Sequence, residues 1–235
     1  MSQYPTLPLR RVLTRIEQGW SPQASNLPAD GDEWAVLKLS AVARGVFRPE
    51  ENKALPASES PNEALAVRPG DLLMTRANTP ELVGDVCVVG ETPPRRMIPD
   101  LIYRLTSGRS ATPPYLCWYL QSRPARAEIE VLARGASQSM VKISQSHIRS
   151  LTLRLPPLDV QRAIADFLDR KTAALDALID KKERLLALLQ EKRQALITQA
   201  VTKGLDPNVP KKDSGIEWLG EGAARTALPR RRRNT

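Results

Sequence analysis

Between residues 159 and 203 the chain contains neither proline nor glycine, and Ala, Leu, Lys, Arg, Asp, Glu and Gln dominate. Most of these are strong helix formers. Pro156 and Pro157 bar a helix before this stretch, Asp159 can cap its first turn, and Lys203-Gly204 stops it. At ~1.5 Å per residue the helix is about 65 Å long, too long to lie on one small globular core.

Alternate steps of four and three pick out Ile164, Leu168, Lys171, Leu175, Leu178, Lys182, Leu185, Leu189, Lys192 and Leu196. This is a heptad seam interrupted at intervals by lysine. Phe167, Ile179, Leu186, Leu188, Ile197 and Val201 widen the apolar stripe. A stripe of that width predicts a helix that packs along another long helix and touches a further partner. Ile164, Leu168, Leu175, Leu178, Leu185, Leu189 and Leu196 are the expected helix-pairing residues.

The same run closely resembles the helical region of the DNA-specificity (S) subunit of type I restriction–modification systems. The matching features are Leu155-Pro156-Pro157-Leu158, Gln161-x-x-Ile164, a Lys-rich middle, Glu191-Lys192-Arg193-x-Ala195-Leu196-Ile197 and Val201-Thr202-Lys203-Gly204-Leu205. Val160 departs from the pattern, standing where the family usually has Glu. A pattern sustained over some fifty residues, with a motif at each end, is far more specific than charged heptads alone.

Upstream, the periodicity changes repeatedly. Residues 9–16 (Leu9, Val12, Leu13, Ile16) are spaced like a short helix stopped by Gly19. Strands are expected within 33–42, 67–77, 83–90 and 100–106, with a loop across 43–66. Helices are expected from Pro113 and from Pro124 to Gly135, then a turn capped by Ser144 and a last strand through Leu151, Leu153 and Leu155. Trp20, Trp34 and Trp118 read as core residues. The expected architecture is a mixed α/β domain followed by a long α-helix that forms an antiparallel dimerisation and spacer element.

This domain is similar, more loosely, to a target recognition domain of the same family. The similarity rests on Gln18-Gly19-Trp20-Ser21-Pro22, on residues 68–78 (RPGDLLMTRAN) and on GASQSM with Ile143-Ser144. The expected division is therefore 1–155 for the recognition domain, 156–204 for the spacer helix and 205–235 for a remnant linker with a basic tail. Residues 206–221 resemble the segment that introduces a second recognition domain in full-length S subunits, so the resemblance implies a half-length subunit. Arg230–Arg233 read as a solvated tail or a nonspecific phosphate contact.

Charge is consistent with an acidic polymer as partner. The chain carries a net charge of +9, and sixteen of the nineteen basic residues before Asp159 are Arg, the side chain suited to bidentate contact with phosphate and guanine. Arg76 and Asn78 follow a predicted strand, where a loop would present them. Arg matches guanine O6/N7 and Asn matches adenine N6/N7. The polar loop Arg134, Ser137, Gln138 and Lys142 suits mixed phosphate and base contacts, Gln145 and His147 continue it with Arg149, and Arg95-Arg96 are expected on an exposed turn.

Chemistry by this chain itself is not expected. Thr112-Pro113-Pro114-Tyr115 lacks the Asp or Asn of an amino-methyltransferase loop, and reads as a helix start. His147 is the sole histidine, no GxxxxGK[ST] loop is present, and no metal site is expected. Cys87 and Cys117 read as buried free thiols. No apolar run of eighteen residues and no apolar leader core occurs, so a cytoplasmic protein without membrane contact is expected.

The resemblance implies the partners. They are double-stranded DNA, methylating (M) subunits carrying S-adenosylmethionine, and an R subunit that uses ATP and Mg to translocate and cut. No cofactor is implied on this chain. It also implies a bipartite DNA site read by two domains whose separation the helices fix; a single domain with an unpaired apolar stripe leads to the expectation of a homodimer here. The alternative from the residues is a helical assembly module that binds M subunits or another S chain without reading DNA selectively.

Overall fold

The structure is a computed structural model that describes residues 4–25, 27–133, 140–203, 211–213 and 221–223. The strands are β1 (Thr6–Pro8), β2 (Leu13–Gln18), β3 (Ala35–Leu37), β4 (Val42–Ala43), β5 (Val46–Phe47), β6 (Asn52–Ala54), β7 (Leu72–Thr75), β8 (Ala77–Asn78), β9 (Val86–Val88), β10 (Arg96–Met97) and β11 (Ile102–Ser107). Helices α1 (Pro113–Gln121) and α2 (Arg123–Leu132) follow, then β12 (Val141–Lys142), α3 (Gln145–Ser150), β13 (Thr152–Arg154) and the long α4 (Leu158–Lys203). A last antiparallel pair joins β14 (Lys211–Asp213) to β15 (Glu221–Ala223). The chain divides into two compact units, Met1–Arg170 and Lys171–Thr235.

The first unit is built around β7. Its four residues are buried on both faces, which is why they read as a continuous apolar run rather than an alternation. Strand period does the sorting. Leu72 and Met74 enter one core with Val86, Tyr103 and Leu105, while Leu73 enters a second with Cys87 and Ile102. The sheet order is β2-β11-β7-β9, antiparallel throughout. Leu116 and Leu120 of α1, Ile129 of α2 and Ile148 of α3 close the first core. The second is closed by the β10-β3-β6 sheet, through Val36, Leu37 and Met97.

Residues 9–16 do not form the expected helix. Leu9–Arg11 is a single 3-10 turn, and β2 begins at Leu13. The register shifts where Ser107 faces Leu13 and Thr106 faces Arg15, which leaves Thr14 as an extra residue. This bulge resets the phase of the strand, so Leu13 and Ile16 both reach the core at a spacing that imitates a helix. Within the expected loop 43–66, β4 and β5 pair across Arg44-Gly45, whose φ values of 50° and 82° match the tight turn that suits a hairpin.

Trp20 is 40% exposed and is not a core residue. Gly19 fixes its position, because any Cβ there would meet the carbonyl oxygens of Ile98 and Pro99. Trp34 does pack against the second core, and Trp118 donates its Nε1–H to Asp169 Oδ1 at 2.7 Å. Three other expectations hold. Pro113 opens α1, Ser144 caps α3 by accepting from the His147 N–H at 3.2 Å, and Cys87 and Cys117 are buried and free.

Helix α4 starts inside the first unit. β1 pairs with β13, and the Leu155 N–H reaches Pro5 O at 3.0 Å, so both ends of the domain meet at the Pro156-Pro157 stop. Ala165 is buried, and Ile164 packs on the first core, so Ile164 anchors the domain rather than extending the free apolar stripe. In contrast Leu175, Leu178, Leu185, Leu189 and Leu196 are each more than half exposed, while Leu168 is intermediate.

Candidate nucleic-acid interface

The residues expected to read DNA begin where β7 ends. β8 pairs antiparallel with β12, setting Asn78 opposite Val141 and Ala77 opposite Lys142. Arg76 is stitched in place from both sides. Its N–H donates to Leu101 O at 2.7 Å, and its carbonyl accepts from the Ile143 N–H at 2.9 Å. Its half-buried guanidinium donates from Nη1 to Asp100 O at 3.4 Å and also bonds the buried Tyr103 side chain. Burial raises the Tyr103 pKa, and the Arg76 charge opposes that rise. A guanidinium has five N–H donors, so the remaining ones can point outward.

Asn78 Oδ1 accepts from the Thr79 N–H at 2.9 Å, which orients the amide. Lys142 is exposed and has no ion pair among the described residues. Gln145 opens α3 directly after it, and His147 follows on the same short helix. His147 Nδ1 is buried and has no hydrogen-bond partner among the described residues. One ribbon and the turn after it thus bring Arg76, Asn78, Lys142, Gln145 and His147 onto adjoining segments. Arg134, Ser137 and Gln138 lie outside the described residues, as does the basic run Arg230–Arg233.

Arg95 and Arg96 belong elsewhere, Arg95 on the bend before β10 and Arg96 at the first position of that strand, and their fates differ. Arg95 is exposed, adopts a φ of 63° and donates to Asp32 O at 2.9 Å. Arg96 is only 3% exposed, contrary to the expected surface turn. Its Nη1 donates to Glu33 O at 2.8 Å and Pro94 O at 3.2 Å, and Nη2 to Gly31 O at 3.4 Å. Burial lowers its pKa, with Asp32 and Glu33 opposing. Arg96 braces the 31–33 turn. Arg104 and Arg126 likewise donate to backbone carbonyls, so part of the arginine surplus is architectural.

The sequence reading missed a groove on the other side of the Pro99–Leu101 bend. It encloses about 460 Å³ and includes Ser21, Lys38, Ser40 and Lys53 in its lining. Lys38 and Ser40 lie more than a dozen residues from both Ser21 and Lys53, so no local motif announces it. Among the described residues, no group of three or more His, Cys, Asp or Glu is placed to hold a metal ion. No described helix is long and apolar enough to cross a membrane.

No family model matches the chain. Among curated proteins it is 34% identical over 152 residues to the type I restriction enzyme EcoEI specificity subunit of Escherichia coli, covering 64% of this chain and 26% of that protein. It is 25% identical over 201 residues to the EcoKI specificity subunit of Escherichia coli K12, covering 85% of this chain and 42% of that one. The fold is shared with a structure solved for complex assembly and conformational transition of the type I R-M system, with a TM-score of 0.63 at 22% identity, covering 87% of this chain and 47% of that one. The HsdS subunit from Thermoanaerobacter tengcongensis gives a TM-score of 0.55 at 23% identity, covering 84% and 44%. The chain thus spans less than half the length of each of these relatives.

Proposed function

We propose that this chain, whose homologues are type I restriction enzyme specificity subunits, is itself a sequence-specific DNA-recognition subunit. In this reading it directs methylating and nuclease subunits to a bipartite site. The observation that carries the reading is the β8–β12 ribbon, which holds the backbone of Asn78 and Lys142 on paired strands directly after Arg76, at the end of a strand buried on both faces. Side chains able to pair with guanine and adenine edges gain discrimination only when their backbone is held, and each good pair is worth ~1–3 kcal/mol.

The chain performs no chemistry of its own in this scheme. Methyl transfer from S-adenosylmethionine belongs to M subunits, and ATP-driven cleavage to an R subunit. Two copies paired antiparallel through the exposed apolar face of α4 would present two identical recognition domains, and such symmetry predicts an interrupted palindrome as target. The exposed leucines of α4 also favour a second reading, an assembly module that binds M subunits or another S chain without selective DNA contact.

Selection of duplexes from a randomised pool by the purified chain separates the two, together with methylome sequencing of the host with the gene intact and deleted. An enriched interrupted palindrome, and loss of the same N6-methyladenine motif on deletion, is the expected result. Loss of an asymmetric split motif would replace the homodimer with a mixed pair. No enrichment and no lost motif would overturn selective recognition in favour of the assembly module.

A further inference from the structure

The Pro99–Leu101 bend presents two sides. On one, the carbonyl oxygens of Asp100 and Leu101 accept from Arg76. On the other, the Asp100 carboxylate accepts from Ser21 Oγ at 2.5 Å, while Ser21 Oγ accepts from the Asp100 N–H at 3.1 Å. Ser21, Pro99 and Leu101 also line the groove of about 460 Å³. Its apolar lining includes Val36, Leu37 and Leu39. Its charged lining residues are Lys38 and Lys53, with no acidic side chain among the residues that line it.

The two lysines are not equivalent. Lys38 Nζ lies 3.7 Å from Glu51 Oε2, and the same oxygen accepts from Ser40 Oγ at 2.7 Å. Glu51 is not among the lining residues and partly compensates Lys38. Lys53, paired in register with Val36 across β3 and β6, has no ion pair among the described residues.

We propose that this groove is a track for the sugar–phosphate backbone of DNA, on the same duplex whose bases the Arg76 ribbon contacts. The proposal rests on the DNA-recognition reading and adds a second, sequence-blind contact to it. Lys53, without an ion pair among the described residues, and the partly compensated Lys38 beside apolar lining residues match phosphates joined by deoxyribose. A stacked base would require an aromatic platform, and the groove lining contains no aromatic side chain. The shared bend couples the two contacts. Phosphates held at Lys53 fix the distance at which Arg76 meets the base edges.

Counterion release supplies the test. Binding of the full chain to a 30-base-pair duplex of arbitrary sequence, and to one enriched by selection, is measured across a salt series. Each phosphate contact contributes ~0.9 to the slope of log affinity against log salt. Lys53→Ala is expected to flatten that slope by about 0.9 and to weaken both duplexes equally, about eightfold at 0.1 M salt. Glu51→Gln releases Lys38 and is expected to steepen the slope and tighten both, a gain that misfolding cannot imitate. Lys53→Arg is expected to keep the wild-type slope.

Wild-type binding with slopes unchanged in both Lys53→Ala and Glu51→Gln would overturn the track and leave the reading of Arg76 standing. A changed selectivity ratio in Lys53→Ala would also overturn it, because a backbone contact carries no sequence information. Failure of the wild-type chain to bind either duplex would overturn both. In that case, salt-sensitive capture of an acidic protein by the same groove would identify the competing class of partner.

Discussion

Gln161 Oε1 accepts the Thr112 N–H at 3.0 Å, and its Nε2 donates to Ser110 O at 2.9 Å and Pro156 O at 2.8 Å. The side chain is fully buried. It therefore pins the first turn of α4 to the segment that precedes α1. Gln161→Leu would leave three backbone polar groups without their partner, one in a buried bond and two in part-buried ones, with an expected loss of about 2–4 kcal/mol. Gln161→Glu should cost at least as much, because a carboxylate oxygen would face the Ser110 and Pro156 carbonyls. Urea denaturation of both variants checks this, and midpoints equal to wild type would refute it.

Gly19 tests the opposite kind of constraint, a missing atom. A Cβ would meet the Ile98 and Pro99 carbonyl oxygens, so Gly19→Ala must displace the bend that carries Asp100. The expected cost is about 1–3 kcal/mol, together with reduced DNA selectivity through the displaced Arg76. A fully stable variant would mean that the bend yields freely.

Arg76 and Arg96 are expected to separate function from stability. Arg76→Ala should lower discrimination between the selected duplex and a mismatched one by ~1–3 kcal/mol. Arg96→Ala removes a buried guanidinium that bonds Glu33, Pro94 and Gly31 carbonyls, and should lower the unfolding midpoint while leaving the selectivity ratio intact. Reversed outcomes would move the recognition surface to the β10 bend.

The α4 face offers a test by mass. Leu185 and Leu189 are each more than half exposed, and Leu185→Glu with Leu189→Glu is expected to convert a dimer to a monomer in light scattering. A wild-type chain that is monomeric both alone and with M subunits would remove the symmetric dimer from the proposal.

The thiols set an alkaline limit. Burial holds Cys87 well above its ordinary value of 9.0, with Cys117 and Asp85 adding to the rise, and pushes Cys117 up to about 12. Their contribution to stability is fully present below pH 9. Above it, the unfolded chain releases thiol protons that the folded chain keeps, so stability falls at about 1.4 kcal/mol per thiol per pH unit until the folded pKa is reached. Burial raises Tyr103 and Tyr115 as well, which acts in the same direction above pH 10. Urea midpoints from pH 8 to 10.5 should decline, and more gently in the Cys87→Ala, Cys117→Ala double variant. A midpoint that rises with pH would contradict the assignment.

What could be read from the sequence followed the range of the interactions involved. Helix α4 was legible because its formers, its proline stop and its glycine end all lie in one stretch, and the Ser144 cap because it needs only three residues. Residues 9–16 were misread because the bulge at Thr14 is decided by β11, some ninety residues away. Arg95 and Arg96 are identical letters side by side and both donate to carbonyls of the 31–33 turn, yet only Arg96 is buried in the fold. Lys53 and Ser21 meet only in the folded groove, so composition registered their presence without their placement.

On the proposed reading, the two-sided burial of β7 also limits how a chain of this design could acquire a new target. With Leu72 and Met74 gripped in one core and Leu73 in the other, the strand has no free face about which to rock. Arg76 and Asn78 extend from its end like the bits of a key whose shank is clamped in a vice. A different base sequence would then be met by recutting those few side chains, with the frame that carries them left where it is.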